Sequence, residues 1–415
     1  MGKLFYNLGV SLYIQIVRLV SGFNTKAEKF IEGRKELLFN LSEKFKGNSR
    51  PVVWFHCASL GEFEQARPVL ERFKTEYPNH FVLLTFFSPS GYEVRKNYAQ
   101  ADYICYLPID TAENAQKFVS ITKPTIAFFV KYEFWHHYIN QLTLNQIPVI
   151  SFSAIFRKSQ VFFKPYGNFY RQILHKFMHI FVQDEASEKL LKSIGVNNIT
   201  IGGDTRFDRV KAIVDARKDI EIAARFKNGL PILVIGSSWP PDIELIANFY
   251  NNSTKKLKLI IAPHEIEESK VQRVINAFPN KSIVRFSQAE NKQLEDFDIL
   301  IIDNIGMLSS LYYYGEYAYI GGAFGTGLHN TLEAATYGVP VFFGPKYAKF
   351  REAIELVNLG GAFSVNTNEE FEKVFKHLFN DETQRKEKGT ICSEYVMSNT
   401  GGTEKVIDFC KTLIK

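Results

Sequence analysis

Short apolar runs alternate with amphipathic stretches along most of the chain, from residue 51 onward. The runs are rich in β-branched and aromatic residues, and they are apolar throughout rather than at every second position. Continuous apolarity of this kind indicates strands buried on both faces, as in parallel sheets covered by helices. The pattern predicts twelve strands in two series, at residues 52–55, 82–86, 103–107, 126–130, 149–152 and 180–182, then at 232–235, 259–262, 283–285, 299–302, 318–320 and 341–343.

Two series of six strands predict an α/β protein with two doubly wound, Rossmann-like domains. Residues 202–205 and the polar stretch 217–228 place the junction near residues 205–215. We expect the two domains to face each other across a central cleft, lined by the carboxyl ends of both sheets. This is the layout of the GT-B class of nucleotide-sugar glycosyltransferases. Some epimerases and phosphorylases share it, so the fold by itself leaves the activity open.

The amino-terminal segment, residues 4–20, is mostly apolar, but Asn7, Gln15 and Arg18 interrupt it. It falls short of the roughly 20 clean apolar residues that a membrane span requires, and residues 20–24 do not resemble a signal-peptide cleavage site. An apolar stretch beside basic residues favours a helix that lies on an anionic leaflet from the cytoplasmic side. A buried helix of the first domain and a true span are the alternatives. The basic residues are Lys3, Arg18, Lys26, Lys29, Arg34 and Lys35.

Composition narrows the class of protein further. With 46% hydrophobic and 23% charged residues, the chain is that of a globular protein. The net charge of +6 is too small and diffuse to indicate nucleic acid, but it suits an anionic substrate or a membrane surface. The four cysteines have no C-x-x-C pairing and no metal-site spacing, which predicts buried thiols in a reducing compartment.

Two carboxylates follow predicted strands of the first domain. Ser59 and Gly61 make a tight turn after residues 52–55, and Glu62 then stands at the entrance of a helix. A carboxylate at this edge of the sheet is suited to take a proton from an acceptor hydroxyl. The alternative is a glutamate that only complements the helix dipole. Glu133 comes just past another buried strand, so the two carboxylates are candidates for one shared reaction centre.

Small polar residues and glycines follow the strands of the second domain. Ser237 and Ser238 end one strand and are suited to approach a phosphate, and His264 follows Pro263 at the end of the next. The stretch 321–333 (GGAFGTGLHNTLE) combines a glycine loop with a helix that Asn330 is expected to cap. A plain loop and capped helix is the alternative. A Rossmann G-x-G-x-x-G motif is a poor description, because these glycines follow the fifth strand of their domain and not its first.

Seven motifs occur in an order that resembles the Kdo transferases, the 3-deoxy-D-manno-octulosonic acid transferases of lipopolysaccharide assembly. The resemblance covers essentially the whole chain and implies a GT-B fold, CMP-Kdo as sugar donor and a lipid A precursor of the lipid IVA type as acceptor. It also implies inversion, no bound metal or separate cofactor, and a place on the cytoplasmic side of the inner membrane. The motifs are 59–62 (SLGE), 133–135 (EFW), 203–208 (GDTRFD), 262–264 (APH), 321–324 (GGAF), 329–333 (HNTLE) and 343–345 (FGP).

The same resemblance assigns roles to residues. Glu62 matches the general base, and Glu133 and Arg206 match positions that stabilise the transition state. The candidate contacts to CMP are Ser237, Ser238, Pro263, His264, Ile305, Gly306, Met307, Asn330, Thr331, Leu332 and Glu333. The expected organisation is a membrane-proximal segment at 1–40, an acceptor-binding domain at 41–208, a nucleotide-sugar-binding domain at 209–390 and a C-terminal helix at 391–415 that packs back on the first domain.

Three positions depart from the family pattern. Arg206 stands where the family commonly has Lys, so an ammonium is replaced by a planar fork. His264 stands where Arg is common, and residues 305–307 (IGM) replace Met-Gly-Glu. Two other functions remain open at this stage. One is a GT-B transferase or epimerase that uses a UDP-sugar, and the other is a membrane-associated binding protein without catalysis. The number of Kdo units added is not determined.

Overall fold

The structure is a computed structural model that describes residues 2–217 and 219–414. The chain forms two compact units. Unit 1 runs to Arg209 and is completed by the segment from Thr400 onward, and unit 2 is Val210–Asn399. The expected C-terminal segment 391–415 is therefore split. Its first part continues a long helix of unit 2, and only the helix after Thr400 packs on unit 1, where it contacts the helix Leu60–Glu76.

The elements alternate between strand and helix within each unit. The strands are β1 Val52–Cys57, β2 Phe81–Phe86, β3 Tyr103–Tyr106, β4 Pro124–Val130, β5 Val149–Ala154, β6 His179–Val182, β7 Ile199–Ile201, β8 Ile232–Ser238, β9 Lys258–Pro263, β10 Ile283–Arg285, β11 Ile299–Ile301, β12 Tyr317–Ile320, β13 Val341–Phe343 and β14 Ala362–Ser364. The helices are α1 Gly2–Ser21, α2 Thr25–Glu32, α3 Leu37–Phe45, α4 Leu60–Glu76, α5 Pro89–Arg95, α6 Ala112–Thr122, α7 His136–Leu144, α8 Asn168–Leu174, α9 Glu185–Lys192, α10 Arg206–Asp215, α11 Glu221–Lys227, α12 Pro240–Asn251, α13 Glu268–Asn276, α14 Leu308–Leu311, α15 Leu332–Ala335, α16 Arg351–Leu359, α17 Asn368–Asn380, α18 Glu382–Ser398 and α19 Gly402–Leu413.

The sheet of unit 1 is parallel throughout, in the order β3-β2-β1-β4-β5-β6-β7. Every residue of β1 and β2 is buried, which confirms the prediction of strands covered on both faces. The six predicted strands are present. The seventh, β7, was missed because its three residues are only half-buried at the sheet edge and give no continuous apolar run.

The sheet of unit 2 is also parallel, in the order β10-β11-β9-β8-β12-β13-β14. The six predicted strands of this series are present, and the short edge strand β14 was missed. In both sheets the strand order reverses at one point, between β1 and β4 in unit 1 and between β8 and β12 in unit 2. Ligands of doubly wound sheets bind at the carboxyl ends of the strands beside such a reversal.

Helix α1 lies on unit 1 by one narrow stripe and exposes its other side. Tyr6, Val10, Ile14 and Val17 are half-buried along this stripe, and no residue of α1 is fully buried. The alternative of a buried core helix is therefore wrong. Among the described residues, α1 is the one helix long and apolar enough to cross a membrane by length and composition. Its exposed apolar side chains are Leu4, Phe5, Leu8, Leu12, Tyr13, Ile16, Leu19 and Val20.

Candidate functional site

The reversal point of the first sheet carries the two predicted carboxylates. Strand β1 leads through Ser59 into α4, which begins at Leu60 and places Glu62 in its first turn. Pro68 lies inside this helix. Strand β4, which pairs with β1, leads to Glu133. Because neighbouring parallel strands end at one edge, the two carboxylates meet there.

Glu62 is held by the turn that precedes its helix. The backbone N–H of Ser59 donates to Glu62 Oε2 at 2.9 Å, and the Ser59 hydroxyl donates to the same oxygen at 3.3 Å. Burial and the nearby charge of Glu133 raise the pKa of Glu62 to about 7, against the opposing effects of Lys131 and of these backbone hydrogen bonds. The residue therefore caps the helix, and it also has the pKa of a base that works near neutral pH.

Glu133 is buried, and two side chains contact one oxygen of its carboxylate. The indole Nε1 of Trp135 donates to Oε2 at 2.6 Å, and His56 Nε2 lies 3.2 Å from the same oxygen. Lys131, two residues earlier, has a positive φ of 65° and turns the chain sharply after β4. This turn brings Trp135 back against Glu133.

Arg206 is joined to the same region through Asp204. Its Nε and Nη2 donate to Asp204 Oδ2 at 3.0 and 2.8 Å, and its backbone N–H donates to Oδ1 at 3.0 Å. The Gln65 amide, one turn after Glu62 in α4, donates to Asp204 Oδ2 at 2.9 Å. Burial alone would raise the pKa of Asp204, but the Arg206 charge and the hydrogen bonds from Arg206 and Gln65 outweigh it and lower the pKa. The guanidinium is thus held by a carboxylate that stays ionised.

The reversal point of the second sheet brings the serine turn and the glycine loop together. The Gly321 N–H donates to the Gly236 carbonyl at 2.9 Å. A Cβ at Gly321 would lie 2.3 Å from the Ser237 carbonyl oxygen and 2.7 Å from Ser238 Cα, so this approach needs glycine. Ser237 itself has a positive φ of 51°. Buried Asp242 ties the two loops by accepting the N–H groups of Trp239, at 2.8 Å, and Gly322, at 2.9 Å.

Three rings form a stack at this edge. The ring of His264 packs on Trp239, with 4.5 Å between centroids, and on His329, with 4.6 Å. Trp239 Nε1 donates to His329 Nε2 at 3.2 Å. Burial, together with the neighbouring His264, lowers the pKa of His329 to about 4, so His329 is neutral at physiological pH. His264 is therefore packed against two neutral rings that are hydrogen-bonded to each other.

Two hydroxyls among the predicted CMP contacts are buried without a partner. Ser238 Oγ and Thr331 Oγ1 make no hydrogen bond to any residue of 2–217 or 219–414. A buried hydroxyl without a partner is costly, and a ligand that supplies one removes this cost. A cavity of about 480 Å³ adjoins Ser238 and Pro263, and its wall continues along Trp239, Lys270 and Arg273.

The segment around Asn330 differs from the prediction. Helix α15 is a single turn that begins after Thr331, so Thr331 and not Asn330 is its first cap position. Asn330 Oδ1 accepts the Leu332 N–H at 3.1 Å, and Asn330 Nδ2 donates to Glu333 Oε1 at 3.1 Å. Asn330 therefore contacts the first turn of α15 from outside the helix, and it does so through both atoms of its side-chain amide. The side chain of Leu332 is completely buried in the core of unit 2.

The first two residues of the candidate segment 305–307 are exposed. Ile305 is 87% exposed, and Gly306 has a positive φ of 103° that glycine accommodates. Met307 is the N-cap residue of α14.

All four cysteines are buried and free. Within the part of the chain that the structure describes, no group of three or more His, Cys, Asp or Glu residues is placed to hold a metal ion.

The comparisons with known proteins first define the class. A crystal structure of UDP-GlcNAc 2-epimerase from Neisseria meningitidis matches with a TM-score of 0.60 and 14% identity, over 87% of this chain and 100% of that chain. Its likeness concerns the fold. With two parallel doubly wound sheets and polar loops at both reversal points, the fold is that of the GT-B glycosyltransferases and epimerases.

Sequence relatives show which transferases this chain resembles. The family model described as 3-Deoxy-D-manno-octulosonic-acid transferase (kdotransferase) matches residues 34–209. The transferase of that name from Aquifex aeolicus is 29% identical over 322 residues, which are 76% of this chain and 82% of the relative. That from Haemophilus influenzae is 25% identical over 377 residues, or 88% and 87%. The chain is a relative of these glycosyltransferases, and the resemblance predicted from its motifs is confirmed.

Several residues that hold the site residues of the two units in place were not themselves predicted. His56 and Trp135 contact Glu133, Asp204 holds Arg206, and Asp242 joins the loops of unit 2. His56, Trp135 and Asp204 lie inside or beside the recognised motifs, which is the signal that would have found them. Asp242 gave no such signal, because its role depends on the contact between β8 and β12.

Proposed function

We propose that this protein transfers Kdo from CMP-Kdo to a hydroxyl of a lipid A precursor of the lipid IVA type. Glu62 beside Glu133 carries this proposal, because burial and then the charge of Glu133 raise the pKa of Glu62 to about 7, which suits a general base at physiological pH. Most of the chain aligns with proteins named as Kdo transferases, which supports the choice of sugar.

In the proposed reaction, Glu62 accepts the proton of the acceptor hydroxyl as its oxygen attacks the anomeric carbon of Kdo. The bond from that carbon to the phosphate oxygen breaks, and CMP leaves from the opposite face with the bonding electrons, so the configuration inverts. Glu133 faces the positive charge that develops on the sugar, and Arg206 balances the negative charge that develops on the leaving CMP. Both act as fixed charges that the fold has already oriented.

Unit 2 supplies the proposed site for CMP. The hydroxyls of Ser238 and Thr331 are offered as partners to the nucleotide, and the stack that holds His264 lies beside Pro263. CMP-Kdo carries a phosphodiester with a single charge, so a divalent cation is not required to neutralise it. We therefore propose metal-independent transfer, for which activity that persists in excess EDTA is the test.

The acceptor is proposed to approach along α1. A cavity of about 360 Å³ lies between this helix and the ends of the first sheet, and aromatic rings line much of it. One lining residue is Trp135, whose indole donates to Glu133. An acyl chain in this cavity would place the acceptor close to the carboxylate pair. The exposed apolar side of α1 supports a site of action on the inner membrane surface, on its cytoplasmic side.

The test is mass analysis of the products formed from CMP-Kdo, generated in situ, and a tetraacylated lipid A precursor. One or more added Kdo masses are expected with the wild-type protein, and none with Glu62→Gln. Glu64→Gln is the matched control, because Glu64 lies in the same helix turn but pairs with Arg95 at 2.8 Å. Failure of the wild-type protein to add Kdo would contradict the proposal.

Nucleotide preference separates this function from the UDP-sugar alternatives. Binding of CMP, measured by thermal stabilisation, is expected to exceed that of UDP. Stabilisation by UDP alone would favour a UDP-sugar transferase or an epimerase, the class to which the Neisseria fold neighbour belongs.

A further inference from the structure

A chain of buried polar side chains leads from the core of unit 1 to Glu133. Trp54, Thr85 and His56 are completely buried in strands β1 and β2. Trp54 Nε1 donates to Thr85 Oγ1 at 2.8 Å, and Thr85 Oγ1 lies 2.8 Å from His56 Nδ1. His56 Nε2 then lies 3.2 Å from Glu133 Oε2. These groups have no part in the proposed proton transfer, so their arrangement needs another explanation.

The positions of the hydrogen atoms on these four side chains follow from the number of donors and acceptors that each one has. The Thr85 oxygen already accepts the Trp54 N–H, and its own hydrogen reaches either His56 Nδ1 at 2.8 Å or the Phe55 carbonyl at 3.5 Å. The shorter contact is the better hydrogen bond. It makes Nδ1 an acceptor, so the hydrogen of a neutral imidazole is on Nε2.

The contacts between His56 Nε2 and Glu133 also require the hydrogen to be on Nε2. The single N–H of Trp135 lies 2.6 Å from Glu133 Oε2 and 3.1 Å from His56 Nε2, and the shorter contact goes to the carboxylate. If His56 Nε2 carried no hydrogen, its lone pair would face a carboxylate oxygen at 3.2 Å. With the hydrogen on Nε2, the carboxylate receives two donors at one oxygen.

We propose that His56 is a positioning residue, a neutral imidazole whose tautomer is fixed by Thr85 so that Nε2–H holds the Glu133 carboxylate in its orientation. This inference rests on the proposed role of Glu133. The hydrogen bonds then run in one direction: Trp54 donates to Thr85, Thr85 donates to His56, and His56 donates to the Glu133 carboxylate. The carboxylate is thereby presented as a fixed charge by groups that no solvent reaches.

The protonation state is tested first, on the whole wild-type protein. Nitrogen-15 NMR of labelled histidine distinguishes the two neutral tautomers from the cation, and comparison with His56→Gln assigns the signal. We expect a protonated Nε2 and an unprotonated Nδ1 at pH 7. A signal from the cation, or from the Nδ1–H tautomer, would overturn the proposal, and this measurement needs no activity.

The kinetic test separates positioning from structural support. His56→Leu and Thr85→Val are expected to lower kcat by about 10- to 100-fold, the rate equivalent of losing one hydrogen bond to a charged group, with KM for CMP-Kdo nearly unchanged. His56→Gln keeps an N–H within reach of Glu133, and Thr85→Ser keeps the hydroxyl, so both are expected to stay within a few-fold of the wild-type rate. His179→Leu is the matched control, because His179 makes a similar contact to Thr200 at 2.9 Å without a carboxylate.

A double variant shows whether His56 acts through Glu133. His56→Leu combined with Glu133→Gln is expected to be no slower than Glu133→Gln alone. Additive losses, or a folded His56→Leu variant with the wild-type kcat, would overturn the proposal and leave the proposed function intact. Wild-type turnover by Glu133→Gln would instead show that the assigned role of Glu133 is wrong. If His56→Leu does not fold, Thr85→Val and the NMR measurement decide.

Discussion

At the scale of single residues, the pairing of Glu62 with Glu133 determines how the rate should depend on pH. The raised pKa of Glu62, about 7, means that the base is protonated and inactive in acid, so kcat/KM should rise with pH through this value. Glu133→Gln removes the like charge and should move the rise to lower pH. Lys131→Gln removes the charge that lowers this pKa and should move the rise to higher pH. Profiles that coincide would contradict the coupling.

The same shift predicts a trend in stability. A carboxyl whose pKa is higher in the folded protein than in the unfolded chain favours folding below its ordinary pKa of 4.5, and this contribution is lost as the pH rises through about 7. The Glu62→Gln substitution should therefore raise the free energy of unfolding above that of the wild type by more at pH 8 than at pH 4. Chemical denaturation at the two values measures it, and Glu64→Gln again serves as control.

Arg206 gives a second prediction at this scale. Its contacts with Asp204 require the planar guanidinium, so Arg206→Lys should keep the charge but lower kcat by about 10-fold. Arg206→Ala should lower kcat by about 10²- to 10³-fold. Steady-state kinetics with varied CMP-Kdo measures both. Arg209→Lys, one turn further along α10, is the control, and an effect confined to KM would show a ground-state contact instead.

At the scale of elements, the contact between β8 and β12 determines the second site. Gly321→Ala would press a methyl group into the backbone of residues 237 and 238 and should cost about 1–3 kcal/mol of stability. It should also weaken CMP binding, because the serine turn is displaced. Gly325→Ala is the matched control in the same loop, since its Cβ would meet nothing within 4 Å. Calorimetry of both variants with CMP tests this, and equal binding would contradict the proposed nucleotide site.

At the scale of the whole molecule, α1 is expected to determine where the protein acts. Leu8→Asp with Leu12→Asp places two charges on the exposed apolar side, where the native side chains are 63% and 59% exposed. Binding to anionic vesicles should fall by on the order of 10²-fold or more, since each leucine buried in the membrane surface is worth about 1.5–3 kcal/mol. Transfer to a membrane-embedded acceptor should fall with it, and transfer to a detergent-dispersed acceptor should not.

Co-sedimentation with vesicles at low and high salt measures this binding. The control is Leu144→Asp, because Leu144 is 69% exposed at the end of α7, away from α1. Salt should weaken the part of the binding that the basic residues contribute and leave the apolar part. Undiminished vesicle binding by the double variant would remove the membrane role of α1.

The sequence by itself determined the class of fold and the resemblance to the Kdo transferases. Short continuous apolar runs rich in β-branched and aromatic residues are typical of strands covered on both faces, so twelve strands and two parallel sheets were predictable. The edge strands β7 and β14 were not, because short, half-buried segments have no such pattern. Glu62 and Glu133 were predicted because they follow strand ends, which are local in sequence, and Arg206 was predicted from the resemblance of its motif.

Only the tertiary structure decided which groups touch. The pKa of Glu62 depends on Glu133, 71 positions later, and the bond between His56 and Glu133 exists because β1 and β4 are neighbours in the sheet. The same holds for Asp242 and Gly322, which meet across β8 and β12. Electrostatic and hydrogen-bonding energies fall steeply with distance, and distance between residues remote in sequence is a property of the sheet order. The chain carries the residue types, and the topology makes them a site.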